Sequence, residues 1–164
     1  MELPKRKKNR LENYDYSTPG AYFVTICTNE RQKNLSKIRR GDPCGRPKIE
    51  LTQLGWTAEK AFEEVEKLYG VEFDYRIIMP DHIHFIVFVP QDCLPVELGH
   101  IVGAFKSVIT RDWLEICKRQ NAEMGKIWQK GYYDHIVRNE QDLYEIRKYI
   151  DGNPDRWLEK REDM

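Results

Sequence analysis

The chain of 164 residues predicts an α+β fold. The expected form is a ferredoxin-like βαββαβ sandwich with an antiparallel sheet and an extra C-terminal helix. Three observations lead there. Short stretches rich in aromatic and β-branched residues read as strands, and two longer stretches with apolar residues every three or four positions read as helices. Their order is strand, helix, strand, strand, helix, strand, followed by one more helical stretch. The two central strands are joined by a turn too short for anything but an antiparallel pair, which is the arrangement of a sheet with its helices on one face.

The elements follow in chain order. Residues 1–20 read as a basic arm ending in the turn Ser17-Thr18-Pro19-Gly20. Ala21 to Thr28 is the first strand. Residues 30–50 are polar and basic and read as a loop or loose hairpin, in which Gly41 to Pro47 receives no function. Leu54, Ala58, Ala61, Phe62, Val65 and Leu68 give the first helix, and Gly70 is placed to stop it. Val71 to Met79 and His82 to Val89 are strands joined at Pro80-Asp81. Leu98, Ile101, Val102, Phe105, Val108, Ile109 and Trp113 mark the second helix. His135 to Arg138 is a short fourth strand. Asn139 or Glu140 opens a last helix, with Leu143, Ile146 and Ile150 inward and Gly152 and Pro154 ending it. No repeat or linker divides the chain, so a single domain is expected over 21–158, with a charged tail at 159–164.

Composition narrows the function classes. Hydrophobic residues at 40% and charged residues at 33% fit a globular domain with a real core. The longest apolar run, near Phe85 to Val89, is strand-sized, so no membrane span is expected. The basic N-terminus has no apolar stretch behind it and is not a secretory signal, so a cytoplasmic location is expected. Cys27, Cys44, Cys93 and Cys117 show no CxxC spacing, which indicates neither a zinc knuckle nor a disulfide framework. The 27 basic and 27 acidic residues cancel, which counts against a protein that coats nucleic acid by charge alone. The distribution is uneven, however. Lys5, Arg6, Lys7, Lys8 and Arg10 form a basic block, and Arg31, Lys33, Lys37, Arg39, Arg40, Arg46 and Lys48 make a second. Each is either a solvated face or a contact for phosphates.

Two constellations carry chemistry. In Met79-Pro80-Asp81-His82-Ile83-His84-Phe85-Ile86-Val87, strand alternation puts His82 and His84 on one face and Ile83, Phe85, Val87 and Val89 on the other. The uniformly apolar set is the core face. The histidines then project together as half of a divalent-metal site, or as two hydrogen-bonding surface residues. In the last helix, Asp142, Glu145, Tyr149 and Asn153 share a polar stripe beside the apolar one. A phenol near a metal can serve as nucleophile and an amide oxygen can ligate a hard cation. Spacing alone does not select Tyr149 from nine tyrosines, and half-buried packing is the plain alternative.

These residues carry a family resemblance. Tyr14 to Thr28, the segment Met79 to His84, Val102 to Ser107, Trp128 to Arg138 and Tyr149-Ile150-Asp151-Gly152-Asn153-Pro154 resemble, in this order, the motifs of the REP-associated tyrosine transposases. That group is a branch of the single-tyrosine HUH, or IS200-like, transposases. The resemblance covers Tyr14 to Pro154. It implies that the last helix is catalytic, with Tyr149 as nucleophile, and that His82, His84 and Asn153 ligate Mg²⁺ or Mn²⁺. Many single-tyrosine relatives carry Gln where this chain has Asn153. The implied substrate is single-stranded DNA bearing a hairpin, from a repetitive palindromic element, nicked and rejoined through a 5′-phosphotyrosine. Unpaired bases stack on aromatic side chains and basic groups follow the backbone. Tyr132 and Tyr133 are candidate stackers. Lys5, Arg6, Lys7, Lys8, Arg10, Arg39, Arg40 and Lys106 are candidate phosphate contacts. Asp134 and His135 are further candidates near the catalytic helix, and His100 receives no role. Relatives act as monomers or as homodimers. Two alternatives stay open: an inactive nucleic-acid-binding relative, and a metal-dependent nuclease that uses water.

Overall fold

The computed structural model describes residues 10–41, 43–92 and 95–162. Its elements are β1 (Gly20–Cys27), β2 (Ser36–Arg39), β3 (Lys48–Leu51), α1 (Gln53–Tyr69), β4 (Glu72–Ile78), β5 (His82–Val89), α2 (Leu98–Arg119), β6 (Tyr133–Val137), α3 (Glu140–Asp151) and α4 (Asn153–Glu162). The main sheet runs β4-β5-β1-β6 and every neighbouring pair is antiparallel. This is the ferredoxin-like order expected from the sequence. No described helix is long and apolar enough to cross a membrane.

The pleat of β1 and β5 sorts the core. Tyr22, Val24 and Ile26 join Ile83, Phe85 and Val87 on one face, packed against Phe62 of α1 and Phe105 of α2. The rings of Phe62 and Phe105 lie 4.5 Å apart, centroid to centroid. The opposite face has a much smaller apolar cluster, in which Phe23 and Ile86 meet Ile146 and Ile150 of α3. Helices therefore cover both faces: α1 and α2 close the large core, while α3 lies on the histidine face.

Local signals fix the ends of α1. The Thr52 hydroxyl accepts from the Gly55 amide at 3.1 Å, a side-chain N-cap, and Gly70 ends the helix in the left-handed region at φ 66°. Gly55 has a second task. A Cβ there would stand 2.1 Å from the Leu35 carbonyl oxygen, so the chain leading into β2 passes where only glycine leaves room.

Of the two readings of residues 30–50, loop or loose hairpin, the hairpin is the one observed, because β2 and β3 pair antiparallel. Three sequence expectations are corrected. Gly152 does end α3, but Pro154 does not end the helical structure. It stands in the first turn of α4, where its missing N–H is not needed. The expected tail from 159 is helical to Glu162. Residues 10–20 are also no loose arm: Tyr14 and Tyr16 pack on the core, and the Leu98 amide at the start of α2 donates to the Tyr16 carbonyl at 3.1 Å.

Candidate active site

His82 and His84 lie on β5, which is paired on both edges, opposite Cys27 and Thr25 of β1. They share a face, as strand alternation requires, but neither is a surface residue: their exposures are 7% and 4%. Their rings stand 4.5 Å apart, centroid to centroid. Each ring is held at Nδ1. His82 Nδ1 lies 2.6 Å from Asp81 Oδ1, and the other oxygen of that carboxylate meets Arg31 Nε at 3.1 Å. His84 Nδ1 lies 2.7 Å from Thr25 Oγ1. Burial pushes the His84 imidazole down to about 3, helped by the positive fields of His82, Arg156 and Arg31, so it is neutral at ordinary pH. His84 Nε2 is buried and has no hydrogen-bond partner. A neutral imidazole with one nitrogen anchored and the other unsatisfied is in the state a metal ligand needs.

Tyr149 comes to this place on α3. Asn139 caps that helix, its Oδ1 accepting from the Asp142 amide at 2.8 Å. Ile146 and Ile150 then dock on Phe23 and Ile86, which leaves Tyr149 at the edge of the contact, half-exposed. Its ring centroid is 5.5 Å from that of His84 and 6.2 Å from that of Phe23. Arg156 of α4 lies over the ring, Cζ 4.5 Å from the centroid, and donates to the Tyr149 carbonyl oxygen. Asn153 is the first residue of α4 and is buried, and its Nδ2 has no partner. His82, His84, Tyr149 and Asn153 all line one open cleft of about 930 Å³.

The donor set present is thus two imidazoles and one amide. Among the described residues no group of three or more His, Cys, Asp or Glu is placed to hold a metal. The unsatisfied His84 Nε2 and the anchored Nδ1 atoms fit a divalent cation with open coordination positions, supplied with few protein ligands.

Other candidates divide between the two faces of the sheet. Tyr133 and His135 line the cleft, and His135 Nε2 lies 2.9 Å from Asp142 Oδ2. Tyr132 and Asp134 alternate to the other face. Tyr132 takes a 2.5 Å hydrogen bond from Arg10 Nη2, and Asp134 is paired with Val24. Asp134 therefore has no place in the cleft. Lys106 is not a free cation: its ammonium donates to the carbonyl oxygens of Gln129 at 3.0 Å and Gly131 at 2.6 Å, so it fastens the segment before β6. Arg39 pairs with Glu50 at 3.2 Å, and neither it nor Arg40 lines the cleft. Lys5, Arg6, Lys7 and Lys8 lie outside the described residues.

Sequence reasoning missed Thr25, Asp81, Arg156 and Trp157. Asp81 was visible as the neighbour of His82. Thr25 needed the β1–β5 register, and Arg156 and Trp157 needed a helix where Gly152 and Pro154 read as a stop.

Residues 16–153 match the family model described as transposase IS200 like. An uncharacterized protein of Haemophilus influenzae is 30% identical over 172 residues, covering 93% of this chain and 89% of its own. A second Haemophilus influenzae protein, provisionally named a REP-associated tyrosine transposase, is 26% identical over 149 residues, covering 88% of this chain and 76% of its own. The fold is shared with a solved REP-associated tyrosine transposase bound to a REP hairpin, with TM-score 0.64 and 21% identity over 90% of this chain and 74% of that one. It is also shared with a provisionally named transposase of Deinococcus radiodurans, with TM-score 0.53 and 16% identity over 87% of this chain and 95% of that one.

Proposed function

The chain belongs to the IS200-like transposase family, and from that premise we propose that it nicks and rejoins hairpin-bearing single-stranded DNA with Tyr149 as the nucleophile. The observation that carries the reading is the meeting of Tyr149 with His84 in one cleft: the rings are 5.5 Å apart, and the His84 Nε2 is buried without a partner. An inactive relative would not need its tyrosine half-exposed beside an unsatisfied imidazole.

The residues would act as follows. His82, His84 and the Asn153 amide oxygen would hold Mg²⁺ or Mn²⁺, and Asp81 and Thr25 engage Nδ1 of each imidazole, which keeps the Nε2 side of each ring out of those bonds. When bound, the cation would supply Lewis acidity toward the scissile phosphate. Arg156, over the Tyr149 ring, keeps the phenol at the cleft wall. The Tyr149 oxygen attacks phosphorus, the bond from phosphorus to the 3′ oxygen breaks, the phenol gives up its proton and the departing 3′ oxygen takes one up. The products are a 5′-phosphotyrosine and a free 3′-hydroxyl. The ester retains the phosphodiester bond energy, so a second 3′-hydroxyl can reverse the step and join a new strand without ATP. One chain supplies all four residues, so a monomer suffices for the chemistry.

The test is to trap the covalent adduct on a hairpin-tailed single strand with Mn²⁺ and to map the linked residue. Tyr149→Phe is expected to abolish the adduct and to slow cleavage by about three orders of magnitude or more. If Tyr149→Phe cuts as fast as wild type, the tyrosine mechanism is overturned in favour of a nuclease that uses water.

A further inference from the structure

The two walls of the cleft differ in charge. Its α3 wall carries Asp142 and Glu145. Its other wall, formed by α4 and the segment leading to β2, carries Lys33, Arg156, Lys160 and Arg161. None of these four is paired with a carboxylate among the described residues, whereas Arg76, Arg111 and Arg147 elsewhere all are. The basic wall also carries an aromatic side chain. Trp157 is half-buried, its ring centroid 6.4 Å from that of His82, and Lys33 Nζ lies 5.5 Å from its ring centroid. On α4, Arg156 and Lys160 are four residues apart, as are Trp157 and Arg161, so each pair shares one helix face about one turn apart. A row of unneutralised cations beside an aromatic ring is the chemistry that binds an unpaired strand: the cations follow the phosphates and the ring stacks a base. A hairpin duplex, with its bases paired and stacked, offers nothing to the ring.

Resting on the nicking activity proposed above, we propose that the α4 wall seats the single-stranded segment that flanks the scissile phosphate. Lys33, Arg156, Lys160 and Arg161 contact its phosphates, and Trp157 stacks one of its bases next to His82. The acidic α3 wall repels the same strand and so gives it one route through the cleft.

The test measures binding as a function of salt in the Tyr149→Phe background without divalent cation. The probes are a DNA hairpin with a tail of about eight thymidines at its 5′ end, one with that tail at its 3′ end, and the bare hairpin. Each phosphate contact on a single strand contributes about 0.7 to the slope of log K against log salt, so K160Q/R161Q is expected to make the slope shallower by about 1.4 for a tailed probe and to leave the bare hairpin unchanged. Trp157→Leu is expected to weaken the tailed probe about tenfold, and Trp157→Phe to restore most of that loss. An unchanged slope, or an equal change on the bare hairpin, overturns the proposal, as does a Trp157→Phe variant as weak as Trp157→Leu. If the slope is unchanged while wild type still forms the covalent adduct, only the strand's seat is wrong. If wild type forms no adduct but the tailed probe behaves as expected, the seat stands and the tyrosine chemistry falls.

Discussion

Asp134 and His135 are adjacent in sequence, and the pleat of β6 sends them to different environments. His135 looks into the cleft, while Asp134 lies among the core-side tyrosines, 7% exposed with one carboxylate oxygen unpartnered. Burial raises the Asp134 carboxyl above its ordinary 3.8, only partly offset by a hydrogen bond from Tyr16 and by the charges of Arg10 and His135. The sign of the linkage follows. The folded state holds this proton more tightly than the unfolded chain, so stability falls as pH rises through the window between 3.8 and the raised value, and the cost persists above it. Asp134→Asn is therefore expected to raise the urea midpoint near pH 7 and to give no gain near pH 3. A midpoint that shifts equally at both would assign the effect to packing. The same alternation is what made His82 and His84 legible from the sequence, since period two needs no knowledge of neighbours. Thr25 was not legible in this way, because its bond to His84 depends on which residue of β1 faces which residue of β5.

At the scale of the element, α1 and α2 were readable because their apolar stripes are long and their ends carry separate signals, Thr52 and Gly70 for α1. The hairpin of β2 and β3 was half readable, having polar strands of four residues each. Its attachment rests instead on backbone: the Leu35 amide donates to the Pro80 carbonyl at 3.0 Å, and the Ser36 hydroxyl to the Ile78 carbonyl at 2.9 Å. The close pass of Leu35 over Gly55 belongs to this docking. Gly55→Ala is expected to destabilise the protein by about 1–3 kcal/mol, read as a lower urea midpoint, because the atom struck is backbone and cannot swing aside. An unchanged midpoint would mean that the approach of the hairpin to α1 is not tight. The helix that sequence missed, α4, was hidden by ambiguous punctuation: proline after glycine marks a helix end and, equally, the first turn of the next helix.

For the whole molecule, the strand and helix order gave the topology, and the antiparallel order β4-β5-β1-β6 is what brings distant segments together. It puts β5 beside β1, so that residue 25 meets residue 84, and leaves the histidine face open for α3. What sequence could not supply was the joint contribution of α4 and the segment before β2 to one wall, because the segments lie more than 100 residues apart and neither shows a motif.

The unequal size of the two apolar clusters has a kinetic meaning. The histidines ride a strand held on both edges over the large core, whereas Tyr149 rides a helix whose buried apolar contact is the small cluster of Phe23, Ile86, Ile146 and Ile150, with solvent-accessible polar ties at its rim such as Arg147 to Asp74 and Tyr75 to Asp151. In native-state hydrogen exchange the β5 amides are expected to exchange only through global unfolding, and the α3 amides through a partial opening a few kcal/mol lower. Equal protection of the two would show that sheet and helix open as one unit. With the expected difference, α3 is a separate foldon, and the protein can transiently withdraw its tyrosine while its histidine pair stays assembled.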